Sequence, residues 1–158
     1  MIKGVLKVAA AVAVKVSNYS GIGDTANIKR TASSGFHLIM LLAVVASTLI
    51  FTLRNHIGAI FTDDTDVVLL VAQLTIPFVL YQIGDGLQCN YANALRGIAD
   101  VKPMMLYAFI AYFVVSLPAG YLFGFLLGMG LPGVWLSFPF GLTSAGVLFA
   151  LRFRHTLK

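Results

Sequence analysis

The feature that most constrains this sequence is a run of 49 residues, Pro103–Leu151, that contains no Asp, Glu, Lys or Arg. A water-soluble fold would have to hide that whole stretch from solvent, and a chain of 158 residues has too little polar surface to do so. Only 11% of all residues are charged and the mean hydropathy is +0.90, whereas a soluble domain carries about 25% charged residues. We therefore expect the lipid bilayer to be the solvent of this chain.

The composition also excludes several classes of protein. The single cysteine, Cys89, cannot form a disulfide within the chain, so a secreted disulfide scaffold is excluded. The net charge of +5 fits cytoplasmic loops near anionic lipid, and we expect no nucleic-acid partner. No Ser/His/Asp, Cys/His or clustered-His pattern supports hydrolysis or redox chemistry, so we expect neither an enzyme nor a cofactor.

Uncharged runs long enough to cross the bilayer predict an all-α integral membrane protein with four transmembrane helices. The predicted spans are residues 35–53, 67–95, 104–127 and 134–151. Residues 1–33 are interpreted as the end of a fifth helix followed by a cytoplasmic loop, and residues 152–158 as a cytoplasmic tail. A signal peptide is the alternative for Met1–Val16, whose apolar core is only seven residues long between Lys7 and Lys15.

The distribution of Lys and Arg predicts which loops face the cytoplasm. One side of the membrane would carry a single basic residue, Arg54, beside Asp63, Asp64 and Asp66. We interpret these acids as helix N-caps and dipole partners, and not as a metal site. The other side would carry eight basic residues, namely Lys15, Lys29, Arg30, Arg96, Lys102, Arg152, Arg154 and Lys158. The C-terminus is therefore predicted to be cytoplasmic.

Small residues recur at every fourth position in the last two spans, which predicts a close helix–helix seam, because helices in lipid associate through small side chains. The alternative is that glycine is simply common in membrane helices. The two stripes are Gly120, Gly124 and Gly128 in the third span, and Gly133, Ser137, Gly141 and Ala145 in the fourth. One proline in each of the last three spans, Pro77, Pro118 and Pro139, is expected to bend its helix.

Asp85 is the strongest candidate for a functional residue, because an ionisable group inside a span is costly to bury. It lies 11 residues before Arg96, or roughly 16 Å along a helix, which is near mid-membrane. Burial favours the protonated carboxyl and a nearby cation favours the carboxylate, so proton and cation would compete for it. Its helical neighbours should share its face and line a polar cavity: Tyr81, Gln82, Gln88 and Cys89. The alternative is an aspartate that only bonds to a neighbouring helix.

Four segments, in the same order along the chain, resemble sequence motifs of the MATE multidrug and toxin extrusion transporters. The most specific is Leu95–Pro103, which resembles the family's LRG-x-x-D-x-x-P loop through Arg96, Gly97, Asp100 and Pro103. The other three are Lys15–Asn18 with Gly21–Asp24 (RVSN…GxGD), Pro118–Leu122 (PLGYLL), and Gly133–Leu136 with Gly141 and Leu142 (GxWLG…GL).

The resemblance implies the C-terminal portion of a NorM-like antiporter with twelve helices in two lobes. Asp85 falls where that branch has an acidic residue that helps to bind the coupling ion, Na⁺ or H⁺, with Tyr81 as its neighbour. The implied activity is export of cationic or amphipathic drug-like compounds by alternating access in a bacterial inner membrane. Because the N-terminal lobe is missing, we expect this chain alone to be inactive, and to fold as a loose four-helix bundle with an orphan N-terminal segment.

Two other functions stay open at the level of the sequence. A flippase or exporter of lipid-linked saccharides from the same superfamily is one, although no Arg or Lys lies inside the predicted spans to line its cavity. A small membrane protein that binds a partner without transporting anything is the other.

Overall fold

The computed structural model describes residues 2–57, 60 and 64–158. It contains five helices in chain order, and no strand is found within these described ranges. The helices are α1 (Ile2–Gly21), α2 (Thr25–Ile57), α3 (Thr65–Gly97), α4 (Lys102–Leu126) and α5 (Gly130–Thr156). The all-α architecture predicted from the sequence is confirmed.

In the described part of the chain, α2 to α5 are the four helices that are long and apolar enough to cross a membrane. Each contains one of the four predicted spans, except that α4 ends at Leu126, one residue earlier than predicted. The helices run past the predicted spans at their polar ends, as α2 does from Thr25 to Ser34. A count of uncharged residues finds the part of a helix that can lie in hydrocarbon, not the part that reaches into the headgroups.

The expectation of an orphan N-terminal segment is wrong. α1 is a helix of 20 residues that packs against both α2 and α3. Its contact stripe of Ala9, Val12 and Val16 is buried, because residues three and four apart lie on the same helix face. This stripe is apolar and small enough for close packing, which is why the segment docks although its lysines interrupt the apolar run.

α3 is the central helix of the bundle. It contacts α1, α2 and α5, while α4 packs mainly against α5. Glycines on several of its faces allow this close approach: a Cβ on Gly86 would lie 2.9 Å from Ile39 of α2, and one on Gly84 would lie 2.8 Å from Thr143 of α5. Asp85, between these two glycines, is therefore held in the middle of the molecule.

The principal hydrophobic core lies where the α1–α2 turn, the α3–α4 turn and the end of α5 meet. It joins all five helices through Val16, Ala32, Leu95, Ala111 and Phe149. By contrast, many large apolar side chains elsewhere are exposed, and Leu49, Met105 and Phe125 each expose more than half of their surface. Such an apolar exterior suits a bilayer, which solvates these side chains as well as a core does.

Local signals set the turns between helices. Asp24 precedes α2 and accepts hydrogen bonds from the backbone N of Asn27 at 3.0 Å and from its Nδ2 at 2.6 Å. The backbone bond to Asn27 is the main reason that the pKa of Asp24 is lowered. Asp64 caps α3 and accepts from the backbone N of Asp66 at 2.9 Å, which confirms its predicted capping role. Asp63 lies outside the described residues.

α4 departs from regular α-helix on both sides of Pro118. Residues Ile110–Ser116 and Leu122–Leu126 are π-helical, and the short segment between them is α-helical. The N–H of Leu117 accordingly bonds to the carbonyl of Tyr112, five residues earlier. Proline supplies no N–H and its ring crowds the preceding turn, so a regular hydrogen-bond ladder cannot continue through it.

Candidate functional site

A cavity of about 210 Å³ lies between α1, α2 and α3, and Asp85 is one of the residues that line it. Its α3 wall carries three of the predicted neighbours of Asp85, namely Tyr81, Gln82 and Cys89. Apolar side chains, including Leu6 of α1 and Ile39 of α2, form the opposite walls. The cavity thus presents a polar stripe to an otherwise apolar surface.

The carboxyl group of Asp85 has no hydrogen bond or ion pair among the described residues, although the residue is partly buried. No group of three or more His, Cys, Asp or Glu side chains that could hold a metal occurs in the described part of the chain, and no other described acid lines this cavity. A carboxylate in this position is poorly solvated and uncompensated. It can be neutralised by a proton or by a cation that enters the cavity.

Gln82 lies beside this carboxyl and is only 7% exposed. Its Oε1 lies 3.4 Å from the hydroxyl of Ser47 on α2, which donates to it, while its Nε2 is buried without a hydrogen-bond partner in the described chain. Burying an amide N–H without a partner is costly. Gln82 therefore has hydrogen-bonding capacity left over next to Asp85.

The prediction that Gln88 lines the same cavity is wrong. Gln88 points to α4, where the hydroxyl of Tyr112 donates to its Oε1 at 2.8 Å. Positions 82 and 88 lie three residues before and after Asp85, which places them on opposite flanks of α3, about 120° apart. Because α3 has neighbours on several sides, the two flanks face different helices.

The predicted seam between the last two spans is present as close contacts between α4 and α5. A Cβ on Gly120 would lie 3.1 Å from the Ser137 hydroxyl, and one on Gly141 would lie 2.7 Å from Ser116. Gly124 faces Val134 in the same way, at 2.6 Å. Ser116 also donates to the carbonyl of Ser137 at 3.1 Å, so one polar bond crosses the seam.

Gly128 does not belong to this seam. It follows the end of α4 with a φ of +65°, and a Cβ there would meet nothing within 4 Å. Positive φ is the conformation that glycine adopts most readily, so Gly128 serves the turn between α4 and α5. Spacing alone could not separate the last glycine of a stripe from the first glycine of a turn.

The loop motif at residues 95–103 joins three helices. A Cβ on Gly97 would lie 2.8 Å from the backbone oxygen of Ala13, so glycine permits the close approach of α1 to α3. Arg96 is exposed on the surface beside it, and Pro103 lies in the first turn of α4, where its missing N–H has no cost. The motif thus forms the turn between α3 and α4 and its contact with α1.

Asp100 links this turn to the end of α5. Arg152 donates from Nε to one carboxylate oxygen at 2.7 Å and from a terminal nitrogen to the other at 3.2 Å, and Thr156 donates at 2.9 Å. The hydrogen bonding to Arg152 is the main reason that the pKa of Asp100 is lowered. A bidentate pair of this kind fixes geometry as well as charge.

Several polar contacts were not anticipated from the sequence. Ser47 and Tyr112 contact Gln82 and Gln88, and Asn90, which is fully buried, donates to the carbonyl of Ala32 at 3.0 Å. Asn90 had a visible signal, because an amide inside an apolar helix usually bonds across helices. Serine and tyrosine are too common in membrane helices to mark such positions.

Comparison with known proteins places this arrangement in a family. The family model described as MatE matches residues 2–122. A eukaryotic MATE transporter, AtDTX14, has a similar solved structure, with 21% sequence identity and a TM-score of 0.81. The match covers 98% of this chain and 37% of that chain, so the present chain spans just over a third of its length. The chain is a multi-pass membrane protein that belongs to the MATE transporter family.

Proposed function

We propose that this chain is part of the C-terminal lobe of a NorM-like multidrug antiporter, which exports cationic or amphipathic compounds in exchange for Na⁺ or H⁺. The observation that carries the proposal is the carboxyl of Asp85, which has no partner among the described residues and faces a cavity within a helix long and apolar enough to span the membrane. An ionisable residue inside a membrane span is expected to bind an ion or to belong to a proton pathway.

In this proposal Asp85 binds the coupling ion, and Tyr81 lies next to it on the same cavity wall. Gln82 lies on the other side of Asp85 from Tyr81 around the helix, and its Nε2 can donate a hydrogen bond. A cationic drug and the coupling ion would compete for the same carboxylate, since one negative charge stabilises one positive charge in a poorly solvated site. Such competition, together with alternating access of the site, couples the export of one to the entry of the other.

We further propose that transport needs the helices that this chain lacks relative to AtDTX14, of which it covers 37%. Alternating access requires two bodies that rock about a shared site. The described helices form one body around α3. An N-terminal lobe in the same membrane is therefore the partner that the proposal requires.

Arg96, Lys102 and Arg152 lie in helix ends at one end of the bundle, where Asp100 of the α3–α4 turn pairs with Arg152. We propose that this end, and with it the C-terminus, faces the cytoplasm of a bacterial inner membrane, since loops rich in Lys and Arg stay inside.

The test is drug export by a complete MATE transporter that carries this segment. Asp85→Asn should abolish export driven by a Na⁺ or pH gradient in proteoliposomes while the protein level stays near normal, because the amide keeps the shape of the side chain but cannot hold the ion. The matched control is Asp66→Asn, which removes the same charge from the exposed first turn of α3 and should export normally. Normal export by the Asp85→Asn protein would refute the ion-site assignment.

A further inference from the structure

A second cavity, of about 410 Å³, opens between α1 and α2 beside the turn that joins them. It shares no lining residue with the Asp85 cavity. α1 contributes one face to it, on which Val8, Ala11, Lys15 and Tyr19 follow at spacings of three and four residues. We refer to this cavity as the α1–α2 cleft.

The lining of the α1–α2 cleft changes from apolar to polar along its length. On α1 the change runs from Val8 to Lys15, which is roughly 10 Å along the helix axis. On α2 it runs from Leu38 to Arg30, roughly 12 Å. Because the two helices are antiparallel and joined by a short turn, both polar ends lie next to that turn. The cleft is therefore polar at the end near the α1–α2 turn, toward the membrane surface, and apolar at the end that lies deeper in the bundle.

No described acid neutralises the two cations at the polar end of the cleft. Neither Lys15 nor Arg30 forms an ion pair in the part of the chain that the structure describes. The acid nearest to them in sequence, Asp24, has its two oxygens bonded to Asn27. Tyr19 and Thr31 add hydroxyl donors to the same end of the cleft. The residues that line this cleft thus offer two positive charges and neutral hydrogen-bond donors, but no negative charge.

We propose that the α1–α2 cleft binds an anionic glycerophospholipid, with its phosphate between Lys15 and Arg30 and an acyl chain along Val8 and Leu38. Charge complementarity selects an anionic group, and basic pockets between membrane helices recruit anionic headgroups. The apolar end selects a lipid over free phosphate, since a phosphate ion would leave that end without a contact. This site is independent of Asp85 and of the proposed transport.

The experiment is native mass spectrometry of the 158-residue chain, released from detergent in the presence of phosphatidylglycerol or of phosphatidylcholine with the same acyl chains. The wild type should retain phosphatidylglycerol preferentially. Lys15→Gln with Arg30→Gln should lower that retention by about 25-fold, or about fivefold for each cation removed. The matched control, Lys7→Gln with Lys29→Gln, removes two charges from the same helices outside the cleft and should retain the lipid.

Three results would overturn the proposal: equal retention of the two lipids by the wild type, equal loss in the control and the cleft variant, or displacement of phosphatidylglycerol by inorganic phosphate alone, which would make this a free-anion site.

Circular dichroism checks that the variants keep their helices. If the double variant does not, Lys15→Arg and Lys15→Gln replace it: the first should keep retention and the second should lower it about fivefold. Equal retention by these two variants would also overturn the proposal.

Discussion

At the scale of single residues, the polar side chains of α3 fall into two kinds. Gln88 and Asn90 hydrogen bond across helices, to Tyr112 and Ala32. Asp85 has no such bond among the described residues and opens into a cavity. Both of these amides make at least one hydrogen bond across helices, although Asn90 Oδ1 is buried without a partner in the described chain. A group that acts on a ligand must instead be left available to it. This difference separates Asp85 from its neighbours more sharply than its charge does.

The bond between Gln88 and Tyr112 should contribute modestly to the stability of the bundle. A double-mutant cycle with Gln88→Leu and Tyr112→Phe is expected to give a coupling energy of about 0.6 kcal/mol, the average for such bonds in membrane proteins. Reversible unfolding in mixed detergent micelles measures it. The cycle of Gln88→Leu with Tyr121→Phe is the control, since Tyr121 lies on the exposed face of α4. Equal coupling in both cycles would contradict the assignment.

The pair of Asp100 and Arg152 should make stability depend on pH in the acidic range. Because folding lowers the pKa of Asp100 through the hydrogen bonds from Arg152, its contribution is complete above the unfolded pKa of about 3.9 and is lost as the pH falls through the lowered value. Asp100→Asn should therefore lower the melting temperature by a few degrees at neutral pH. The gap to the wild type should shrink below about pH 4, where the wild-type carboxyl becomes as neutral as the amide.

Melting curves recorded by circular dichroism at several pH values measure this gap. Asp66→Asn removes an exposed carboxylate that forms no ion pair in the described chain, and should lower the melting temperature at neutral pH by less than Asp100→Asn does. A gap that stays constant through the acidic range, or no gap at neutral pH, would show that the pair does not stabilise the fold.

Sequence reasoning located Asp85 inside a span because residues 67–95 contain no other charged residue. It could not place Gln88, since a shared helix face spans more than 100° and α3 touches neighbours on several sides. Which flank faces which helix depends on the packing of other segments. That information is not contained in the periodicity of one helix.

At the scale of whole helices, glycine decides how closely α1, α3 and α5 approach one another. Gly97 is the sharpest case, because its missing Cβ would lie 2.8 Å from the backbone oxygen of Ala13, which cannot rotate away. Gly97→Ala should destabilise the chain by about 1–3 kcal/mol, the usual cost of overpacking. Thermal unfolding in detergent measures the loss.

Gly4→Ala is the matched control, since a Cβ at Gly4 would meet nothing within 4 Å and the position is also helical. Alanine is the better helix former, so this variant should be at least as stable as the wild type. Equal stability of the Gly97→Ala and Gly4→Ala proteins would contradict the close contact between α1 and α3.

The helices themselves were largely predictable, and their irregularities were not. Long uncharged runs identify α2 to α5, because a continuous helix satisfies its own backbone hydrogen bonds inside lipid. Pro118 indicated a disturbance in α4, but not that it would take the form of π-helix on both sides. The docking of α1 was missed because its lysines shorten the apolar run, while its buried stripe of Ala9, Val12 and Val16 needs only every third or fourth residue.

At the scale of the whole molecule, two of the cavities in the bundle have opposite chemistry. The Asp85 cavity has an acid among apolar walls, and the α1–α2 cleft has cations at its polar end. The first suits a cation inside the membrane and the second an anionic headgroup at its surface. Both are lined by α1 and α2, so the helices that position the proposed ion site would also hold the proposed lipid.

The central claim is that Asp85 is a single site shared by a proton and a cation, and proton release tests it most directly. Purified chain in weakly buffered detergent solution receives NaCl or tetraphenylphosphonium chloride, with KCl as the control for ionic strength, while the pH is followed. We predict release of up to one proton per chain from the wild type and none from Asp85→Asn, because a cation that binds the carboxylate must displace its proton. Equal release from the Asp85→Asn protein, or no release from the wild type with either cation, would contradict the claim.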